Sequence, residues 1–576
     1  MEASYNLRRV NLRWKARIEP IVRLRDGTGS DEGVFTVTRV RTPRRIIGVA
    51  AVAILAAGCG GAAKSSLQGG NELAGAAGTK GLGADVMPAS TLAFGDANID
   101  ASSEGWKRAL ALGARFPGFG KLMLDFNTSL NKRTGSGPTA AEVRSALGGE
   151  IAVGVTALKS STSGSRAATL LVYAEVRDVA KLKGMLAGDK EMTALPDRGG
   201  FSEFSQKANG GTPGFFAISA SAVLVSNDRS VLESAIDRSA SGADRLADSP
   251  EFKDAMKTLP DENILVGYVS PTALQQLGQA AKAQQGAAGS ALSTKQMDQA
   301  LASYQAVKGV AYSLDATTGG FRLRSSVRLD EAKLATLGGL AKQYQSFEPT
   351  LLARVPSTAY FAASFQNLGP MLKTAYGAIL EQPTVKTQVA QFETLLGVKL
   401  DDLVALTSGE HAIYVGPGLP ASGGLLLKPA DAAKGAATLR ALTKLLATRG
   451  IVVHDTGDGQ DATLGTLSGR WRSVDGVVAI GTDATVGDKV KDPLFESAAV
   501  KQLFSDAGLD PTAKTAGAFY LDVPKLLDVA TSLQALSSSP ATDQQSIDNL
   551  RHLGGIVAWT ARDGDLAVSD VFIGIK

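Results

Sequence analysis

One cysteine in 576 residues, Cys59, rules out an intramolecular disulfide. A chain without a disulfide must rest on its hydrophobic core, and more than 450 residues can build one. Histidine is nearly as scarce. His411, His454 and His552 stand far apart and form no His-x-x-x-His or similar spacing, which argues against a zinc-type site and any metal or other cofactor. No Gly-x-Ser-x-Gly elbow and no phosphate-binding P-loop occur. Aromatics are sparse at 6%, while glycine is abundant at 64 residues. Charge of one sign is lacking in the bulk of the chain. Residues 1–58 hold eleven Lys/Arg against five acids, which leaves about −2 for the rest of a chain whose net charge is +4. The basic pI of 8.8 therefore belongs to the N-terminus, and no strong field is left to attract nucleic acid.

That N-terminus reads as an export signal. Val37–Arg45 carries four arginines and no acid, and Ile46–Ala57 follows as twelve uncharged, mostly apolar residues. Twelve residues rise only about 18 Å as a helix, too little to span a hydrocarbon core of roughly 30 Å. A basic segment, a short apolar segment and small residues ending at Gly58 make a cleavable secretory signal, with cleavage after Gly58. Leu55-Ala-Ala-Gly-Cys59 resembles the bacterial lipobox, although the usual leucine three places before the cysteine is Ala56. The resemblance implies that Cys59 becomes the new N-terminus and carries lipid, including a palmitate-type acyl chain. Two acyl chains make a stable anchor where one does not. Arg44-Arg45 leaves the Sec and twin-arginine routes both open. Residues 1–36 fit no normal signal. Translation is expected to start at Val37, with Glu32-Gly33 encoding a ribosome-binding sequence. Gly60–Asp85, rich in Gly, Ala and Ser, reads as a flexible tether.

The body reads as two tandem copies, residues 86–345 and 346–576. Met87-Pro88 through Phe94 recurs as Val355-Pro356 through Phe361. Leu147–Val153 recurs as Thr407–Ile413, and Ser249–Lys253 as Ser497–Lys501. Val266–Leu274 recurs as Ala518–Leu526, and Val310–Ser313 as Val557–Thr560. Alternation predicts strands at Phe215–Val225 and Phe321–Leu329, and the chain ends in a strand, Ala567–Ile575, with no C-terminal anchor expected. Amphipathic helices are predicted at Glu104–Ala114, Asp228–Ser239 and Pro250–Leu259. Ala280–Met297 reads as either a solvated helix or a loop. Helices interrupting runs of hairpins predict an α+β fold of two duplicated lobes, each mostly antiparallel sheet with packed helices.

The Met87–Phe94 opening, Phe116-Pro-Gly118, Ser249–Lys253 and Tyr268–Leu274 resemble an uncharacterised family of actinobacterial lipoproteins, the domain of unknown function numbered 3352. That family implies no activity and no catalytic residues. Several local patterns invite a chemical reading against a plainer one. Asp455–Asp461 resembles a calcium loop, but Thr466 occupies the place of the required glutamate, so a polar turn is expected. Ser129-Leu-Asn-Lys132 matches Ser-x-x-Lys without its partner motifs. Gly416–Gly424 opens no helix and reads as a strand-linking loop. Glu150 and Glu410 hold matching positions, which permits pairing across the lobes but fits a turn before each strand. No catalytic, cofactor or metal residue is assigned. Three functions stay open: a non-enzymatic protein binding an envelope protein or polymer, a carrier of a lipid or other hydrophobic ligand, and a hydrolase.

Overall fold

The computed structural model describes residues 81–576 except 132–137, 161–165, 207–212, 289–300, 338–344, 381, 419–420, 449, 465–466 and 536–543. The first half contains strands β1 Ala93–Asn98, β2 Leu147–Ser160, β3 Arg166–Val176, β4 Met192–Ala194, β5 Ser202–Gln206, β6 Gly214–Ile218, β7 Ala222–Ser226, β8 Leu265–Val269, β9 Val307–Ala316 and β10 Gly320–Leu329. The second contains β11 Phe361–Gln366, β12 Glu410–Val415, β13 Gly423–Lys428, β14 Val452–Asp455, β15 Gly459–Leu464, β16 Leu467–Val474, β17 Val477–Gly481, β18 Gly517–Asp522, β19 Leu553–Asp563 and β20 Leu566–Ile575. Helices of the first half are α1 Leu82–Val86, α2 Glu104–Gly113, α3 Phe119–Asn131, α4 Ala140–Ala146, α5 Val179–Ala187, α6 Arg229–Ser241, α7 Pro250–Met256, α8 Pro271–Ala288 and α9 Glu331–Ala335. Those of the second are α10 Leu368–Leu380, α11 Pro383–Leu396, α12 Leu400–Leu406, α13 Ala432–Thr448, α14 Ala498–Ala507, α15 Val523–Ala535 and α16 Gln544–Arg551.

The fold is α+β. The twenty described strands form one antiparallel sheet. In the first half β1 lies between β2 and β8, β2 continues to β3, β7, β6, β5 and β4, and β8 continues to β9 and β10. In the second, β11 lies between β12 and β18, β12 continues to β13, β17, β16, β15 and β14, and β18 continues to β19 and β20. The two pairing schemes thus run in the same chain order. They meet at β10 and β20, where Arg324 lies directly opposite Asp570.

The pairing registers match residues of the two halves independently of their identity. Phe94 pairs with Tyr268, and Tyr268 with Ala311; Ala362 pairs with Tyr520, and Tyr520 with Val557. Val557 therefore answers to Ala311, one place on from the Val310 that sequence similarity suggests. A one-residue slip turns every side chain to the other face of a sheet. Trp559, 4% exposed, consequently matches the fully buried Ser313, while Tyr312 lies on the opposite face.

One face of the sheet buries Phe94, Tyr173 and Tyr268 beneath α1, α6 and α7, with Phe252 of α7 among them, and Tyr414, Tyr520 and Trp559 in the second half, with Phe504 of α14. The other face is covered around Ile151, Phe216 and Leu182 by α4 and α5, and around Leu427, Leu439 and Trp471 by α12 and α13. Each large side chain so buried contributes about 1.5–3 kcal/mol. Local chemistry sets the helix starts. Ser249 and Ser497 accept the backbone N–H of Phe252 and Val500 at 3.2 and 3.4 Å, and Pro250 fits the first turn of α7 because it has no N–H to lose.

Three expectations need correction. Phe215–Val225 is two strands, β6 and β7, because the Ser219 hydroxyl accepts the Ala222 N–H at 3.0 Å and turns the chain. Leu82–Asp85, expected as the end of a flexible tether, belongs to helix α1, in which Gly83, Ala84 and Val86 are buried. Of the ambiguous Ala280–Met297 segment, α8 takes up the residues to Ala288, and the remainder lies outside the described residues.

Candidate functional site

The carboxylates at matching positions, Glu150 and Glu410, are both buried, at 3% and 8% exposure. Glu150 pairs with Asn98 at the end of β1, and Glu410 with Gln366 at the end of β11. Each carboxylate turns back onto the start of a short helical segment. Glu150 Oε1 accepts the Gly83 N–H at 2.8 Å; Glu410 accepts the Leu351 N–H at 2.7 Å and the Thr350 hydroxyl at 2.6 Å. Exposed helix-start N–H groups carry partial positive charge, which a carboxylate satisfies. Burial holds the Glu410 pKa above the ordinary carboxylate value, and the hydrogen bonds from Thr350 and Leu351 oppose that rise. The approach at Gly83 is so close that a Cβ there would stand 2.2 Å from the Ala152 Cβ. Nine strand steps separate β2 from β12, roughly 40 Å measured across the sheet. The two glutamates therefore do not form one site, and each serves its own half.

The histidines are likewise dispersed. His411 is 1% exposed and stacks on its cross-strand neighbour Phe365, with ring centroids 5.3 Å apart and planes 2° from parallel. Neither of its ring nitrogens has a hydrogen-bond partner, and burial lowers its pKa. His454 is exposed on β14, and His552 packs on Phe116 at 5.9 Å. Among the described residues no group of three His, Cys, Asp or Glu could hold a metal ion.

The Asp455–Asp461 segment joins β14 to β15; Asp455 accepts from the Gln460 side-chain amide at 2.8 Å, and Asp458 and Asp461 are engaged by arginines of β16. Arg470 binds Asp461 through both guanidinium and carboxylate arms, and Arg472 binds Asp458 at 2.6 Å and Asp488 at 2.8 Å. The Arg470 hydrogen bond holds the Asp461 carboxyl below its ordinary range. Ser129 is exposed on α3, while Lys132 lies outside the described residues. Gly416–Gly424 links β12 to β13, with residues 419–420 outside the description. Cys59, Gly58 and Val37 also lie outside it.

A recess of about 440 Å³ opens between α9 and the β19–β20 turn, lined by Glu331, Leu334, Ala335, Gln345, Ser346, Arg562 and Gly564. Arg562 is ion-paired to Glu331, and the Ser346 hydroxyl donates to the Arg562 carbonyl at 3.1 Å. Among the described residues lining the recess, the carboxylate is that of Glu331, which is engaged by Arg562 rather than by the Ser346 hydroxyl.

What sequence reasoning missed is an apolar surface. α3 exposes Leu122 at 58% and Leu124 at 66%, and α11 exposes Phe392 at 58% and Leu395 at 57%. Both are the middle helix of the three inserted between the first two strands of their half. The signal was present as the apolar content of Phe119–Leu130, but no alternating or heptad pattern drew attention to it. Among the described residues no helix is long and apolar enough to cross a membrane.

With this geometry established, residues 49–574 match the model of a family described as a protein of unknown function, DUF3352. The chain belongs to this family. No curated protein matches it in sequence. Among solved structures it is similar to crystal form IV of TP0453 at 7% identity, covering 43% of this chain and 81% of that one, with a TM-score of 0.24. Crystal form I of TP0453 is 8% identical over 46% of this chain and 86% of that one, also at 0.24. Similarity at that level carries no argument about the role of this DUF3352 member.

Proposed function

We propose that this protein is an extracytoplasmic lipoprotein, held on the outer face of a membrane by acylated Cys59, whose body binds an envelope component without catalysing a reaction. The observation that carries the non-enzymatic reading is the use made of the candidate chemical groups. Glu150 and Glu410 cap the starts of helical segments, Asp458 and Asp461 pair with arginines, and His411 is buried in the sheet and stacked on Phe365. Groups committed in this way do not converge on a reacting atom. The anchor rests on the signal-like run ending in Leu55–Cys59 and on Cys59 being the one cysteine of the chain. The duplication of 86–345 and 346–576 is part of the same reading, supported by the matched pairing schemes and by the matched roles of Glu150 and Glu410.

The test is mass spectrometry of the N-terminal peptide of the protein purified from membranes. The expected result is a diacylglyceryl-modified Cys59 at the N-terminus, lost together with membrane retention in Cys59→Ser. A mature N-terminus elsewhere, or an unmodified Cys59 thiol, overturns the anchor.

A further inference from the structure

The face of the sheet that carries α4, α5, α12 and α13 at its two flanks is apolar and only partly covered in its middle. Side chains of a strand alternate between the faces, so the registers of β9, β10, β20 and β19 set rungs of four residues on this face, opposite the side that buries Trp559. Successive rungs stand about 7 Å apart along the strands. The first rung is Val310, Val327, Ala567 and Arg562. The second is Tyr312, Ser325, Ser569 and Thr560, each with a hydroxyl. The third is Leu314, Leu323, Val571 and Ala558, and the fourth is Ala316, Phe321, Ile573 and Ile556. No residue of the second or third rung is buried, and Leu323 is 45% exposed. The same face continues outward with half-buried Leu265 on β8 and Phe519 on β18, while their core-side neighbours Val266 and Ala518 are buried. Further out it stays open. A Cβ built on Gly95 or Gly517 would meet nothing nearer than a backbone oxygen, at 4.0 and 3.8 Å. An apolar surface left open across both halves marks a place for a partner.

The form and polarity of this strip select the partner. Trp106 and Leu112 of α2, with Phe116, cluster with Ala316 and Phe321 at one end, and Leu334 of α9 clusters with Val327 and Ala567 at the other. Phe321 and Val327 lie roughly 20 Å apart along β10. A helix is about 10 Å across, so a flat protein surface meets α2 and α9 before it meets the floor, whereas a hydrocarbon chain fits between them. The recess of about 440 Å³ sits at the first rung, where Arg562 and Leu334 line it, and its volume is within the range of ligand pockets. Its arginine and its glutamate, Arg562 and Glu331, neutralise each other, and the second, third and fourth rungs carry no charge. Next to the recess, the Thr560 and Ser569 hydroxyls lie 2.9 Å apart. Polarity therefore falls along the strands, from a neutral polar recess through a rung of hydroxyls to two apolar rungs. The complement is an uncharged amphiphile laid along the strands.

We propose, resting on the reading that the body binds an envelope component, that this strip binds a neutral acyl lipid with a hydroxylated head. Its chain lies over Leu314, Leu323, Val571 and Ala558, and its head meets Thr560, Ser569 and the recess at Arg562. The site does not depend on the anchor at Cys59.

The experiment uses the full chain carrying Cys59→Ser, freed of bound lipid, and a monoacylglycerol with a photoreactive diazirine in its acyl chain, kept below its micelle concentration. Irradiation is expected to label the peptides of β9, β10, β20 or β19 that hold the third and fourth rungs. Excess monooleoylglycerol is expected to compete, and oleoyl-lysophosphatidylglycerol, with its anionic head, is not. Leu323→Asp puts a charge on the strip and Ala558→Phe fills it. Each is expected to weaken binding about tenfold or more, while Leu323→Met and the control Leu395→Asp on α11 stay within about twofold. Unchanged circular dichroism shows that the fold is intact. Label confined to other surfaces, equal competition by the anionic lipid, or undiminished binding in both variants overturns the proposal. A dimer that Leu323→Asp dissociates also overturns it, because a second copy then covers the strip. Absence of label overturns this site and leaves envelope binding to other surfaces. Intact monoacylglycerol recovered from the labelled strip supports the site; oleate released there supports the site and overturns the non-enzymatic reading instead.

Discussion

Replacing Arg324 by methionine tests what joins the two halves. Arg324 on β10 lies directly opposite Asp570 on β20, and its guanidinium donates to both carboxylate oxygens at 2.7 and 3.0 Å. Asp570 is 4% exposed, and the Arg324 side chain is 22% exposed, so water replaces little of the lost contact. Arg324→Met leaves a buried carboxylate without that partner. It also leaves Arg322, already bound to Asp315 at 2.9 Å, as the nearest cation on this stretch of β10. Removing one member of a buried ion pair costs about 3–5 kcal/mol. The double substitution Arg324→Met with Asp570→Leu removes both charges and recovers most of that loss, because a well-packed apolar pair can match a buried salt bridge. Urea or guanidinium unfolding of the four proteins gives the coupling energy. Because β10–β20 is the strand pairing between the halves among the described residues, the single variant is also expected to split the unfolding transition into two. A loss below about 1 kcal/mol, the range of a surface pair, refutes the reasoning.

Two further perturbations follow from the buried polar groups. Burial lowers the pKa of His411, so the folded state resists the proton that the unfolded chain accepts near its ordinary value of 6.5. The stability this contributes is complete above that value and is lost as pH falls below it. Wild type is expected to lose up to about 1.4 kcal/mol per pH unit relative to His411→Leu between pH 6.5 and 5. Taking the difference cancels the opposite trend from Glu410, whose raised pKa weakens the fold as pH rises from 4.5. Parallel stability curves for the two proteins contradict the assignment. Gly83→Ala brings a methyl group 2.2 Å from the Ala152 Cβ and forces α1 off Glu150. A loss of about 1–3 kcal/mol is expected in denaturant unfolding; an unchanged midpoint shows that α1 is not docked there.

The residues that were legible in the sequence and those that were not differ for a physical reason. Ser249 and Ser497 were visible because a cap, a helix start and an apolar face lie within a few residues of each other. Glu150 and Glu410 were visible as matching letters, but their partners Gly83 and Leu351 are 67 and 59 residues away, so the role stayed hidden. Similarity of letters also misled. It set Tyr312 against Trp559, both aromatic, whereas the registers match Trp559 to Ser313. Packing on one face selects residues by the room available, and Ser313 lies directly opposite Arg324 on the neighbouring strand. The same registers match Arg324 to Asp570, two residues of opposite charge that no similarity would align. If the halves derive from one ancestor, residues at such matched positions once faced their own copies across β10 and β20. Like charges directly opposite repel, and opposite charges attract. A duplicated chain is free to place Arg on one side and Asp on the other, as two identical subunits are not. The Arg324–Asp570 pair is thus the kind of change that commits two halves to one chain, and its coupling energy measures how far that commitment has gone.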